Sequence, residues 1–109
     1  MAQSRLDQLQ ELLREDPQDN FLLFALAQEY EKGEYFAEAI QQYETLRKEH
    51  ADYVGTYYHL AKLYVRQSDY QKAMEVYGEG ILVAQQQGDR HALSELMAAK
   101  NLLEEELDA

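Results

Sequence analysis

The sequence predicts an all-α domain of about six helices, and three observations carry that prediction. Apolar residues recur at the three- and four-residue spacing of one helix face almost throughout. Helix-ending and helix-starting residues, at Asp16-Pro17, Gly33, Ser68-Asp69 and Gly88-Asp89, punctuate the chain at helix-length intervals. No segment alternates polar and apolar residues as a half-buried strand would.

The first helix carries Leu6, Leu9 and Leu13 on one face, with Ser4 followed three residues later by Asp7 as its N-terminal capping pair. Pro17 disfavours helical geometry at Asp16, so this helix stops near Glu15. A second, 20–32, holds Leu23, Leu26, Ala27 and Tyr30 inward and is closed by Gly33. The third, 36–49, presents Ala39, Ile40, Tyr43 and Leu46; the fourth, 53–67, presents Tyr57, Leu60, Ala61 and Tyr64. The fifth, 70–87, follows the helix starters Ser68 and Asp69 and carries Ala73, Met74, Tyr77 and Ile81. Asp89 caps the last, to about Leu107, with Leu93, Leu96, Met97, Leu103 and Leu107.

A chain of 109 residues is one domain in length and buries roughly 60% or more of its unfolded surface. It contains no Cys, which excludes disulfides and thiolate metal sites and gives a reducing cytoplasm as the expected location. The N-terminus shows no signal-peptide pattern, and no apolar run approaches the ~18 residues of a membrane span. With 21 acidic against 10 basic side chains the net charge is −11, a field that repels phosphate backbones and anionic lipid. Neither nucleic acid nor a membrane is expected as a partner. The ordinary consequence of such an excess is solubility, and the sharper one is a basic partner.

Catalytic and cofactor signatures are missing from the pattern. His50, His59 and His91 lack metal-ligand spacing, and Gly78 and Gly80 sit within a helix without the Lys-Ser/Thr of a phosphate loop. Glu29, Glu31 and Glu34 read as an exposed helix end, and Glu104 to Glu106 with Asp108 as a solvated tail. The expectation is a non-enzymatic protein with no metal and no cofactor.

Laying 20–53 over 54–87, a shift of 34 residues, aligns Leu26 with Leu60, Ala27 with Ala61, Tyr30 with Tyr64, Ala39 with Ala73 and Tyr43 with Tyr77. All five identities fall on inward positions, where small residues let helices approach and aromatics fill the remaining space. The pattern resembles the tetratricopeptide repeat, a 34-residue helix-turn-helix unit. The resemblance implies a helical superhelix divided into an N-terminal half-repeat at 1–19, repeats at 20–53 and 54–87, and a capping helix at 88–109. Departures from the family pattern are Ala51 where Pro is common, Leu46 in place of a small residue, and Gly80. The last is expected to face a close approach of the capping helix.

In this family the first helix of each unit lines a concave groove. Carried over residue by residue, that face holds Phe21, Phe24, Gln28, Glu31 and Lys32, then Tyr58, Lys62, Val65 and Arg66. Phe21, Phe24, Tyr58 and Val65 are more apolar than solvent requires, and Lys32, Lys62 and Arg66 gather basic charge on an acidic protein. The aromatics have an alternative role as contacts to the terminal helices. The carboxylate clamp of co-chaperone members is absent, because Phe24, Gln28, His59, Asp89 and Leu93 stand at its positions.

The function expected is an adaptor: a peptide or helix of another protein, acidic or amphipathic, lies in the groove. The alternative is homodimerisation through the last helix, where Leu93, Leu96, Lys100, Leu103 and Leu107 follow a heptad seam. That seam spans about two heptads, short of the three to four that define a coiled coil. A monomer or weak dimer is expected.

Overall fold

The computed structural model describes residues 4–109, so residues 1–3 of the N-terminal half-repeat lie outside the described residues. Six helices and no strand occur among them: α1 (Arg5–Glu15), α2 (Asn20–Lys32), α3 (Phe36–Glu49), α4 (Gly55–Arg66), α5 (Tyr70–Gln87) and α6 (Arg90–Asp108). They fall into two compact units, one ending at His50 and the other beginning at Ala51.

Four of the helix starts carry a side-chain cap. Ser4 Oγ accepts from the Asp7 N–H at 3.1 Å, and Asp19, Asp69 and Asp89 accept in the same way from Leu22, Lys72 and Ala92. These contacts satisfy donors that the first helical turn leaves without partners. Helix α4 begins two residues later than the apolar pattern predicts. Its approach closes turns instead, with the Thr56 N–H donating to the Tyr53 carbonyl and the Tyr57 N–H to that of Val54.

Helices α2, α4 and α5 end alike. The amides of Tyr35, Asp69 and Asp89 donate five residues back, to the carbonyls of Tyr30, Tyr64 and Ala84. Such a closure needs a left-handed residue just before the donor. Gly88 supplies it after α5 with φ 68°, whereas after α2 the residue is Glu34 at φ 65° and after α4 it is Ser68 at φ 63°. Gly33, the expected cap, stays at φ −83°.

In the first unit α1 packs on α2 and α2 on α3. Its buried side chains are Leu9, Leu23, Leu26, Ala27, Ala39, Tyr43 and Leu46. The Gln10 amide donates to the Tyr30 hydroxyl at 3.1 Å, joining α1 to α2. Glu31 is not the solvated carboxylate that its polar surroundings suggested. It accepts from the Tyr43 hydroxyl at 2.9 Å, because the burial of Tyr43 leaves its hydroxyl in need of an acceptor.

In the second unit α4, α5 and α6 pack on one another around Tyr57, Leu60, Ala61, Leu63, Tyr64, Ala73, Val76, Tyr77, Ala84, Leu96 and Leu103. Gly80 sits where these helices come closest. A Cβ built on it would stand 2.5 Å from Tyr57 Cβ on α4 and 3.1 Å from Leu96 Cδ1 on α6. The tightest approach is therefore that of α4, with the last helix second. On α6 the expected seam divides, since Leu96 and Leu103 are buried while Leu107 is exposed.

Candidate functional site

Helix α4 sends Tyr58, Lys62 and Val65 to one side at spacings of four and three residues, so they form a stripe along the helix. Helix α6 presents a second stripe at the same period: Glu95, Ala98, Ala99, Leu102, Leu103 and Glu106. The two stripes and Tyr77 of α5 enclose a cleft of about 380 Å³ within the second unit. Tyr77 is buried and forms the base, Leu102 is 58% exposed at the opening, and the small side chains Ala98 and Ala99 leave the middle open.

Three polar features sit in this otherwise apolar lining. The Lys62 ammonium lies 5.4 Å from the centre of the Tyr58 ring, a cation-π contact between successive turns of α4. Opposite, Glu95 and Glu106 stand at the two ends of the α6 stripe. At the base, burial first and the neighbouring Tyr58 second push the Tyr77 hydroxyl up to about 12, so at neutral pH it is a hydrogen-bond donor.

Of the residues expected from sequence to bind a partner, Tyr58, Lys62 and Val65 line this cleft together. Arg66 is exposed one turn beyond Lys62 and is not part of the lining. The others belong to the first unit. There Phe21 is 65% exposed, and Gln28 and Lys32 also face outward. Phe24 is half-buried and meets the Tyr43 ring edge-on at 5.8 Å, which makes it part of the packing of α2 on α3. Sequence reasoning missed Tyr77, Ala98, Ala99, Leu102, Glu95 and Glu106. The α6 stripe has a helical period, but the overlapping seam through Leu93, Leu96, Lys100, Leu103 and Leu107 has the same period, and local spacing does not distinguish the two.

Among the described residues no three His, Asp or Glu side chains gather as metal ligands; His91 pairs instead with Glu95 at 3.6 Å. No helix there is long and apolar enough to cross a membrane.

The tetratricopeptide repeat family model matches residues 34–100, from the turn after α2 into α6. The chain belongs to the tetratricopeptide repeat family. The solution structure of a tetratricopeptide repeat domain protein from Salinibacter ruber is 45% identical over 82% of this chain and 90% of that one, with a TM-score of 0.78. A crystal structure of a tetratricopeptide repeat domain protein from the same organism gives 44% identity over 80% and 97%, at a TM-score of 0.77. A Bordetella parapertussis protein, 24% identical over 96% of this chain and 91% of that one, shares the fold at a TM-score of 0.82. Comparison with curated proteins found no match. Tetratricopeptide repeat proteins are in general non-enzymatic modules that bind other proteins, and the fold of this chain implies a protein-protein interaction module.

Proposed function

We propose that this protein is an adaptor that binds an amphipathic segment of another protein, and that the cleft between α4 and α6 is a principal binding site. The observation that carries the reading is the cleft itself. Tyr58, Val65, Leu102 and Leu103 form an apolar trough open to solvent, and such a trough takes the side chains that anchor an interface. We propose repeats at 20–53 and 54–87, in which the 34-residue shift makes Phe24 and Tyr58 equivalent, and the exposed Phe21 on α2 is a separate candidate contact of the first unit. We take the protein to act in the cytoplasm, in keeping with its cysteine-free sequence.

Self-association through α6 ranks second. Leu96 and Leu103 are buried within the chain, which leaves a self-pairing α6 with Leu93, Lys100 and Leu107 for its seam.

The test is binding kinetics with a partner recovered by affinity purification from the source cell. Tyr58→Ala is expected to weaken the complex by on the order of 2 kcal/mol as the loss of an aromatic anchor. Lys62→Ala with Arg66→Ala is expected to act mainly on the association rate and its salt dependence. Unchanged affinity for all of these variants, with circular dichroism intact, would remove the cleft as the site.

A further inference from the structure

The cleft also selects its occupant, and this step rests on the reading of the cleft as a binding site. Both walls are helices, whose backbone groups are already bonded along the helix. An extended peptide laid between them would find no backbone partners for its amides and carbonyls and would depend on water and the few polar side chains of the lining. A helical segment satisfies its backbone internally and needs only side-chain complementarity, which the two stripes supply.

Length and charge narrow the choice. Glu95 and Glu106 are eleven residues apart on α6, roughly 16 Å of helix axis, or about three turns. Between them the wall is wholly apolar, with Ala98 and Ala99 small enough for a neighbouring helix to approach closely. Taken alone, Lys62 and Arg66 would favour an acidic segment. Once α6 is in place, however, the lining holds two carboxylates to one ammonium, and that ammonium already rests against the Tyr58 ring. Beyond Ala51 the chain carries ten acidic side chains to five basic ones, so the wider field has the same sign.

We infer that the cleft takes a basic amphipathic helix of another protein, about three turns long. Its apolar face enters between Tyr58, Val65 and Leu102, and Lys or Arg side chains toward its two ends pair with Glu95 and Glu106.

The experiment uses the full chain and stapled, end-capped peptides of about three helical turns, since shorter free helices are marginal in water. All carry the same leucine stripe; they differ only in having Lys, Gln or Glu near both ends. Fluorescence anisotropy is expected to rank Lys over Gln over Glu, with about a tenfold gap between the extremes at low salt that narrows as salt is raised. Glu95→Gln with Glu106→Gln is expected to reduce the Lys peptide to the affinity of the Gln peptide. Equal or tighter binding of the Gln or Glu peptide, still abolished by Ala98→Trp, would overturn the basic specificity and leave the cleft standing. Failure of every peptide to bind, or binding indifferent to Ala98→Trp, would overturn the cleft reading itself. A wild-type dimer in light scattering that Ala98→Trp converts to monomer would make a second copy the occupant and overturn the proposal.

Discussion

The Tyr43 hydroxyl donates to Glu31 Oε1 at 2.9 Å and ties α3 to α2. One repeat later, 34 residues on, the corresponding side chains are Tyr77 and Val65, and Val65 offers no acceptor. The same aromatic position thus serves the interior in the first hairpin and opens into the cleft in the second. Tyr43→Phe is expected to cost roughly 1.5–3 kcal/mol, because it removes a hydrogen bond to a carboxylate. Tyr77→Phe is expected to cost less than about half of that. Urea denaturation midpoints at neutral pH compare the two, and equal losses would show that the Tyr77 hydroxyl has a structural partner.

Stability should fall in alkali, with a defined onset. The Tyr77 hydroxyl rises from 10.0 to about 12 on folding. That of Tyr43 is pushed up as well, first by burial and then by the charge and hydrogen bond of Glu31. The unfolded chain therefore loses these protons first. The contribution is intact below pH 10.0 and is lost as pH rises through about 12, the folded value for Tyr77. Each group contributes a slope of up to roughly 1.4 kcal/mol per pH unit in that window. Urea midpoints measured at intervals from neutral pH into this range would trace the decline, and Tyr77→Phe is expected to make it shallower.

The same substitution should have opposite effects at two glycines of α5. Gly80→Ala would place a methyl group 2.5 Å from Tyr57 Cβ, so α4 must shift. The expected loss is roughly 1–3 kcal/mol, and Gly80→Leu is expected to be at least as damaging. At Gly78 an added Cβ meets nothing within 4 Å. Gly78→Ala is expected to stabilise by about 0.5–1 kcal/mol through helix propensity alone. Thermal unfolding of the two alanine variants side by side tests the pair, and shifts of the same sign would contradict the packing described.

Ser68 adopts φ 63° at the end of α4, where a side chain is disfavoured. Ser68→Gly removes that steric cost at a small price in unfolded-chain entropy, so a net gain of about 0.5 kcal/mol is expected. Glu34→Gly, at φ 65° after α2, is expected to behave alike. A lower denaturation midpoint for both variants would show that local side-chain contacts outweigh the backbone cost.

The helices themselves were legible in the sequence because their signals are local. The Leu26, Ala27 and Tyr30 face repeats at Leu60, Ala61 and Tyr64, and the observed limits of α2, α3 and α5 coincide with the spacing and punctuation that predict them. Membership of the repeat family follows from those same inward positions. Which side of α6 meets α4 was a different matter. Two overlapping stripes, one through Leu96 and Leu103 and one through Ala98, Ala99 and Leu102, satisfy the same helical period. Only the packing of α6 against α5 and α4 buries Leu96 and turns Leu102 toward Tyr58. The left-handed residue after α2 was likewise hidden: propensity favours Gly33, yet the closure from Tyr35 back to Tyr30 places the turn at Glu34. Periodicity and propensity act over a few residues of chain, whereas the rotation of a helix and the charge of a cleft are set by neighbours distant in sequence.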